Sequence, residues 1–287
     1  MSTAAGLLAD RAFGEPPTHV HPVAAFGTLM TALERRLYRD DRWAGVVHAT
    51  AGIALGVVAG RLVRSRAVAT YVAVSGRMLG TTARRIGEVL DAGDLEGART
   101  LLPALVGRDP SELDSGEIAR AVVESVAENT VDAIVAPALW AAAAGAPGVL
   151  AHRAANTMDA MVGHHSDRYE RYGWAAARLD DAMAWVPARA TAALVAAVRP
   201  SAAGEVWRTV RRDAPAHPSP NAGVAEAAFA AALGIELGGL VRYGERIEDR
   251  PRLGDGRPVE AADIERAVRL SDDVTLALAG TLAVVRR

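Results

Sequence analysis

One long apolar segment constrains the fold of this chain more than any other feature. The segment WAGVVHATAGIALGVVAGRLV, Trp43–Val63, contains no acidic residue and has a single arginine, Arg61, near its end. A helix of about 20 residues covers roughly 30 Å, the thickness of the bilayer hydrocarbon. Gly52, Gly56 and Gly60 recur every four residues and form a smooth face that suits close helix packing in lipid. In a buried soluble helix, the alternative, each glycine would cost about 1 kcal/mol, so the segment favours a membrane span.

Three further apolar segments follow, at residues 133–150, 182–198 and 274–285. Proline and glycine interrupt the first, and Pro187 and Arg189 interrupt the second. Broken segments at membrane depth are tolerated where they line protein or water, so these two are expected to border a polar cavity. The third is too short to cross a bilayer alone. Residues 200–270 are polar and rich in glycine and proline, which predicts a water-exposed section.

Helical periodicity is evident outside these segments as well. Residues 67–90 show the three-and-four spacing of an amphipathic helix. Asp114 or Ser115 is a suitable cap for a helix that starts near Gly116, and Ser219 or Asn221 for one that starts near Val224. Strong strand alternation is absent. The predicted fold is mainly α, a multi-pass helical integral membrane protein that forms a single domain over residues 1–287, with a polar, loop-rich section near the C-terminus.

The composition excludes several kinds of chemistry. The 287 residues include no cysteine and no lysine, so all 32 basic residues are arginines. This rules out thiol catalysis, disulfides, Schiff bases and a Walker A lysine. Bound phosphates must therefore be contacted by arginine, backbone amides or a metal. The net charge of −2 gives no indication of a nucleic-acid partner.

A row of carboxylates precedes the apolar segment 133–150. Glu124, Glu128 and Asp132 are spaced by four, so on a helix they share one face. A solvated face could carry such a row at little cost. At bilayer depth a carboxylate costs about 2.5 to 3.5 kcal/mol, which a cation or a substrate would offset.

A second polar block interrupts the apolar sequence between residues 155 and 189. Asn156 and Asp159 share a helical face in NTMDAMVG, and LDDAMAWVPAR contains the adjacent pair Asp180 and Asp181. Arg178, one turn before Asp181, is expected to form a structural ion pair with it. The adjacent Asp180 points in a different direction and is left for a metal or a distant partner. Hard oxygen ligands on several helices suit Mg²⁺, which commonly bridges phosphates.

The histidines are weaker candidates for a functional site. His19 and His21 precede a proline and could bind a metal, but the spacing places no further ligand. His164 and His165 fit a loop as well as a site. His48 lies alone in the apolar segment 43–63 and is expected to be a packing residue.

These motifs, in this order, resemble the CobD/CbiB family of cobalamin biosynthesis, the adenosylcobinamide-phosphate synthases. The matching stretches are DRAFGEPPTHVHPV, ARTLLPALVGRD, ESVAENTVDAIVAP, NTMDAMVG, ARLDDAMAWVPAR, and HPSPNAG with the later LGIELGGLVRYG. The resemblance implies a multi-pass enzyme of the cell membrane, surrounded by lipid. It implies that the enzyme joins the free carboxylate of the corrinoid adenosylcobyric acid to aminopropanol or its phosphate, in an ATP-dependent step.

The chemistry of that reaction suggests a role for each polar residue. Carboxylate activation requires a metal on the phosphates and positive charge on the developing oxyanion. We expect Mg²⁺ and ATP as cofactor and co-substrate, with the metal at Asp132, Asp159, Asp180 and Asp181. The catalytic residues are expected to be Glu124, Glu128 and Asn129, with one glutamate accepting the amine proton. The substrate-binding residues are expected to be Asn156, Arg189, Ser219 and Asn221, with Arg189 on phosphate.

Two other classes of protein remain open on the sequence. A membrane prenyltransferase binds Mg²⁺ pyrophosphate through two facing aspartate-rich motifs, which NTMDAM and LDDAM match only loosely. A transport or assembly subunit with polar helices would show ion-coupled flux and no product.

Overall fold

The computed structural model describes residues 2–15, 21–164, 166–243 and 246–284. Helices dominate these residues, which confirms the mainly α prediction. In chain order the helices are α1 (Thr3–Phe13), α2 (Pro22–Leu37), α3 (Arg42–Val63), α4 (Arg66–Ala73), α5 (Gly76–Asp91), α6 (Leu95–Leu101), α7 (Ser115–Thr130), α8 (Ala136–Met158), α9 (Trp174–Val198), α10 (Ala203–Asp213), α11 (Ala222–Leu233) and α12 (Ala262–Val284). An antiparallel hairpin of β1 (Leu237–Tyr243) and β2 (Arg246–Leu253) lies between α11 and α12. Single π-helical turns follow α7 at Val131–Val135 and α8 at Asp159–Gly163.

The chain divides into two compact units, each of which is discontinuous in sequence. The first unit comprises Met1–Ser75, Asp132–Pro187 and Ala279–Arg287. The second comprises Gly76–Val131 and Ala188–Leu278. Helices α9 and α12 contribute residues to both units, so a single cut in the sequence would not separate them.

The glycine face of α3 packs against α8 in the first unit. Gly52, Gly56 and Gly60 are buried, and a Cβ added at Gly56 would lie 2.6 Å from the carbonyl oxygen of Leu150. The backbones approach so closely because these positions carry no side chain. This confirms the predicted packing role of the glycine face.

The rest of α3 presents apolar side chains outward. Trp43 and Leu62 are 79% and 77% exposed. Within the described residues, two helical stretches are long and apolar enough to cross a membrane, Arg42–Val63 and Ser115–Gly163. Length and composition alone do not separate a span from the core helix of a soluble protein. Residues 274–284 of the predicted segment 274–285 form the C-terminal part of α12.

Helix α8 is kinked where the sequence predicts an interruption. Gly145 has a φ of 69°, a left-handed conformation that glycine adopts without steric cost. The interruption predicted in residues 182–198 is wrong, because α9 continues through Pro187. Proline removes one backbone donor, and the fully buried neighbours Ala184 and Ala188 keep the helix packed on both sides of it.

The predicted helix over residues 67–90 is two helices. Helix α4 ends at Ala73, and the backbone N–H of Ser75 donates to the carbonyl oxygen of Ala133 at 3.1 Å. This long-range hydrogen bond takes the place of a helical one. The helix therefore ends, although the amphipathic spacing of the sequence continues.

The second unit confirms the predicted start of α7. Asp114 accepts the N–H of Glu117 at 2.8 Å, and Glu117 accepts the N–H of Asp114 at 2.9 Å, which is a capping box. Within residues 200–270, Trp207 on α10 is exposed, whereas α11 is buried.

The hairpin contradicts the expectation of no strands. Strand β1 opens with glycines at positive φ and β2 is highly charged, so neither shows the apolar alternation that predicts a strand.

Candidate functional site

A cluster of charged side chains lies inside the second unit, where α7, α11 and the hairpin pack together. Glu124 on α7 is 3% exposed. Its Oε2 accepts a hydrogen bond from Arg108 at 2.6 Å, and its Oε1 accepts the backbone N–H of Gly238 at 2.9 Å. The Nε of Arg120 lies 4.0 Å from the same Oε1. Glu124 is therefore charge-compensated and firmly held.

Glu226 on α11 and His217 form the buried end of this cluster. The Nε2 of His217 lies 3.7 Å from the Oε1 of Glu226, and the two side chains are 4% and 2% exposed. Burial, followed by the charges of Glu124 and Glu128, raises the pKa of Glu226 well above its ordinary value. Burial also lowers the pKa of His217. Both shifts favour the neutral forms of the two side chains.

Glu128 is the accessible carboxylate of the cluster. It follows Glu124 by one turn of α7, its side chain is exposed, and its charge acts on Glu226. The Nδ2 of Asn129 donates to the carbonyl oxygen of Ser125 at 2.9 Å, so the side-chain amide of Asn129 is hydrogen-bonded within α7. Of the two glutamates predicted to accept a proton, Glu128 is the one exposed to solvent.

The turn before α11 brings together three of the predicted substrate-binding residues. Asn221 occupies the N-cap position of α11, and the Oγ of Ser219 accepts the N–H of Ala222, the first residue of the helix, at 3.1 Å. Asn221 makes no capping bond with its side chain. Its Oδ1 instead accepts a hydrogen bond from the Nη1 of Arg189 at 2.9 Å. Arg189, Ser219 and Asn221 thus lie around one turn of the second unit.

A second group of polar residues surrounds Arg153 on α8 in the first unit. Its guanidinium lies 3.4 Å from the Oδ1 of Asn156 and 3.4 Å from the Oγ of Ser75. The charges of Glu15 and Asp132 also act on it. Asp132 lies in the π-turn beyond α7, so the helical spacing that predicts a common face with Glu124 and Glu128 does not extend to it.

Two described histidines of the first unit, His21 and His48, have structural roles. The Nδ1 of His21 accepts a backbone N–H in the first turn of α2 at 3.2 Å, and its Nε2 lies 3.7 Å from Glu15. His48 is 1% exposed and its Nε2 lies 3.2 Å from a carbonyl oxygen of α2, which confirms it as a packing residue. His19 and His165 lie outside the described residues.

The other predicted metal ligands lie at a π-turn and at the start of α9. Asp159 opens the π-turn after α8, and Asp180 and Asp181 lie in the second turn of α9. The Nη1 of Arg178 lies 3.7 Å from the Oδ2 of Asp181, which confirms that predicted pair. Burial raises the pKa of Asp181, and the charge of Arg178 opposes the rise.

In the part of the chain that the structure describes, no three His, Asp or Glu side chains come together as a metal centre. The four predicted aspartates therefore do not form an all-protein cage. Mg²⁺ that arrives with a nucleotide keeps several waters and takes only one or two carboxylates from the protein. The adjacent pair Asp180 and Asp181 fits a site for Mg²⁺ that arrives with a nucleotide.

The motifs that make up these two groups identify the family. The family model described as CobD/Cbib protein matches residues 3–271, which include both groups. The chain belongs to the CobD/CbiB family. The family model therefore spans both compact units.

Curated relatives of the CobD/CbiB family match nearly the whole chain. A protein of Mycobacterium tuberculosis (strain CDC 1551 / Oshkosh), named cobalamin biosynthesis protein CobD, is 50% identical over 98% of this chain and 93% of its own length. Proteins of the same name from Chromobacterium violaceum and Geobacter metallireducens are 42% and 40% identical, each over 92% of this chain and 89% of its own length. No solved structure matches the chain.

Sequence reasoning missed Glu226, His217, Arg108, Arg250 and Arg153. Glu226 did carry a signal, because it is the single charged residue in the apolar helix AGVAEAAFAAAL. A lone charge in an apolar helix is costly unless it is paired, so it marks a partner elsewhere in the chain. His217, Arg108 and Arg250 lie in polar stretches and have no comparable signal, whereas Arg153 follows an apolar stretch of α8 directly after His152.

Proposed function

We propose that this chain is an ATP-dependent amide ligase that joins the free carboxylate of adenosylcobyric acid to aminopropanol or aminopropanol phosphate. Membership of the CobD/CbiB family supports a role in cobalamin biosynthesis. The observation that carries the reaction type is the solvent-exposed carboxylate of Glu128, whose charge acts on the buried carboxyl of Glu226. An amine that attacks a carbonyl carbon must lose a proton, and a positioned carboxylate can accept it.

The reaction has two steps. A carboxylate oxygen of the corrinoid first bonds to the γ-phosphorus of ATP while the bond to ADP breaks, which gives an acyl phosphate and ADP. The amine nitrogen then forms a C–N bond, the C–O bond to phosphate breaks, and phosphate leaves with the electron pair. The nitrogen loses one proton in this step, and Glu128 is the group we assign to accept it.

Arginine and magnesium would contact the nucleotide, because the chain has no lysine. We assign Arg189 to the phosphates, since its planar guanidinium offers paired N–H donors. We assign Asp180 and Asp181, supported by Asp132 and Asp159, to the Mg²⁺ that accompanies ATP. When bound, that ion neutralises phosphate charge. Asn156 and the turn at Ser219 and Asn221 would position substrate.

The proposed location is the cell membrane, with more than one span. The exposed apolar side of α3 supports this. A helix that faces water seldom exposes large apolar side chains such as those of Trp43 and Leu62 while it carries so few charged residues. The helical stretch Ser115–Gly163 is the second segment of sufficient length and hydropathy.

Product formation tests the proposed activity directly. Purified full-length protein in detergent is incubated with adenosylcobyric acid, ATP, Mg²⁺ and either aminopropanol or its phosphate, and the products are identified by mass. The expected result is one amide product and one ADP per turnover. Glu128→Gln should lower kcat at least 100-fold, because removal of a general base costs about that much. Glu205→Gln on α10, where the glutamate side chain is 41% exposed and pairs with Arg208, is the matched control and should keep normal turnover.

A wild-type protein that binds the corrinoid but gives no amide with either amine would contradict the ligase assignment. Amide formation without ATP consumption would contradict only the acyl phosphate step and would leave the amide ligase assignment in place.

A further inference from the structure

An apolar groove opens on the surface of the first unit, between α2, α3, α4 and α8. Its volume is about 330 Å³, within the range of roughly 300–1,000 Å³ that small-molecule sites occupy. Apolar side chains make up most of its wall, among them Phe26, Leu55 and Leu150. We propose that the groove binds an acyl chain of an anionic phospholipid, whose phosphate lies against Arg64 and Arg66. The inference rests on the proposed location in a membrane and adds a defined lipid site to it.

The open side of the groove exposes large apolar side chains. Leu29 is 52% exposed, Val63 39% and Val68 47%, and all three line the groove. The exposed side chains of Val58 and Leu62 extend this apolar surface along α3. Adjoining apolar surface of this kind is unfavourable in water and marks a binding or membrane-contact site. An acyl chain covers such a surface without leaving any polar group unpaired.

The length of the groove suits an acyl chain from one leaflet. Its wall on α3 runs from Leu55 to Val63, which is roughly 12 Å at a rise of 1.5 Å per residue. One leaflet contributes half of a hydrocarbon thickness of roughly 30 Å, or about 15 Å. A Cβ added at Gly56, in the same wall, would lie 2.6 Å from the carbonyl oxygen of Leu150. Helices α3 and α8 therefore touch there and form one side of the groove together.

Arg153 is the single charged residue of the groove wall in the part of the chain that the structure describes. Its guanidinium lies 3.4 Å from the Oδ1 of Asn156 and 3.4 Å from the Oγ of Ser75. An arginine that directs its head to polar groups can pack its aliphatic stem against an apolar ligand. Arg153 therefore has polar neighbours within the protein, and the acyl chain needs no charge at this point.

The turn between α3 and α4 places two arginines at one end of the groove. Val63 and Val68, on either side of this turn, both line the groove. Arg64 and Arg66 lie between them in the sequence and are therefore close to that end. Ser65 caps α4, because its Oγ accepts the N–H of Val68 at 3.3 Å. This cap and the N–H of Arg64, which bonds back to α3, hold the turn in place.

Negative charge is missing around these two arginines. The sequence has no acidic residue between Asp41 and Glu88. Among the described residues, neither Arg64 nor Arg66 has an ion-pair partner, nor does the nearby Arg61. Phosphate oxygens accept paired N–H donors from guanidinium groups, and basic residues beside a membrane attract anionic lipids. An anionic headgroup supplies the charge that this end of the groove lacks.

Native mass spectrometry of the purified full-length protein in neutral detergent tests the site. Lipid-free protein is titrated with dioleoyl phosphatidylglycerol, which is anionic, or with dioleoyl phosphatidylcholine, which is zwitterionic. We expect one tightly bound phosphatidylglycerol per chain, with an affinity at least tenfold above that for phosphatidylcholine. Ala25→Trp, which puts an indole into the groove, should weaken the binding of both lipids at least tenfold. Ala24→Trp is the matched control, because Ala24 is also exposed but does not line the groove.

Arg64→Gln combined with Arg66→Gln tests the contact with the headgroup. Each arginine beside an anionic headgroup is worth about fivefold in affinity, so this double variant should bind phosphatidylglycerol about 25-fold more weakly. Its affinity for phosphatidylcholine should not change. Arg35→Gln combined with Arg36→Gln removes the same charge from the last turn of α2 and should bind both lipids like wild type.

Each remaining outcome counts for or against the lipid site. Equal affinity of wild type for the two lipids, or equal losses in the two arginine double variants, overturns it. A dimer without lipid would show that a second copy of the chain covers the groove, and would also overturn it. If Ala25→Trp does not fold, the arginine variants decide, because all four positions accept glutamine on a helix or turn surface.

Extraction with alkaline carbonate separates this site from the proposed location. A protein that stays in the membrane pellet but shows no preference for phosphatidylglycerol contradicts the lipid site alone. A protein that carbonate releases but that still prefers phosphatidylglycerol supports the site and contradicts the membrane location.

Discussion

Asp263 is a fully buried carboxylate in the first turn of α12, and three groups donate to it. Both terminal nitrogens of Arg257 donate to it, at 2.7 and 2.9 Å, as do the backbone N–H of Glu260 at 2.9 Å and the guanidinium of Arg266. Burial would raise the pKa of Asp263, but these donors outweigh burial and lower it. The ionised form is therefore the native one.

Asp263→Asn should destabilise the protein by about 2 kcal/mol at pH 7, because buried donors lose their charged acceptor. A lowered pKa in the folded state adds stability that is complete above the unfolded pKa of about 3.9 and is lost as pH falls through the folded value. The melting temperatures of wild type and variant should therefore converge below about pH 4. Asp255→Asn, at an exposed ion pair with Arg212, is the control and should change little at any pH. An equally large difference at pH 3 and pH 7 would contradict the ionised state of Asp263.

Arg189 contacts Asn221 and is assigned here to the nucleotide phosphates. Arg189→Lys keeps the charge but loses the planar pair of donors. The expected result is a roughly tenfold higher KM for ATP, the effect of about 1.4 kcal/mol of lost binding, with an unchanged melting temperature. Arg199→Lys, which alters the pair with Asp273 directly after the last residue of α9, should leave the KM for ATP unchanged. A lower melting temperature with a normal KM would show that Arg189 only supports the turn before α11.

At the scale of elements, the glycine face of α3 was predictable because its spacing is local. Four-residue spacing places Gly52, Gly56 and Gly60 on one side of any α-helix. The π-turns and the hairpin were not predictable in this way. The π-turn at Val131–Val135 lies within a sequence whose pattern is otherwise that of an α-helix. The glycines at the start of β1 have no side chains, so they cannot show the alternation of apolar and polar residues that predicts a strand.

Gly56→Ala tests the packing of α3 on α8. The new Cβ would lie 2.6 Å from the carbonyl oxygen of Leu150, and backbone cannot move aside as a flexible side chain can. We expect a loss of about 1–3 kcal/mol, measured as a lower melting temperature in detergent. Gly280→Ala on α12 is the matched control, since no atom lies within 4 Å of its added Cβ. That substitution should stabilise the protein by up to about 1 kcal/mol. Equal melting temperatures for the two variants would show that α3 and α8 do not pack closely in solution.

At the scale of the whole molecule, the proposed location in the membrane has a simple test. Because α3 exposes a long apolar side, the protein should remain in the membrane pellet after high salt and after alkaline carbonate. A peripheral protein, held by charge alone, would be released by those treatments. Recovery of the chain in the carbonate supernatant would mean that α3 is covered by protein and does not cross lipid.

The sequence by itself determined the features that arise within a few turns of chain. The helix cap at Asp114, the buried packing of His48 and the pair of Arg178 with Asp181 follow from spacing alone, because hydrogen bonds and packing along a helix act over three or four residues. The order of motifs also determined the CobD/CbiB family. Tertiary structure decided which distant groups meet: Glu124 accepts the N–H of Gly238, 114 positions away in the sequence, and Glu226 lies beside His217 and near Glu128. Burial and neighbouring charge set the protonation of Glu226, and both depend on elements that meet only when the second unit folds.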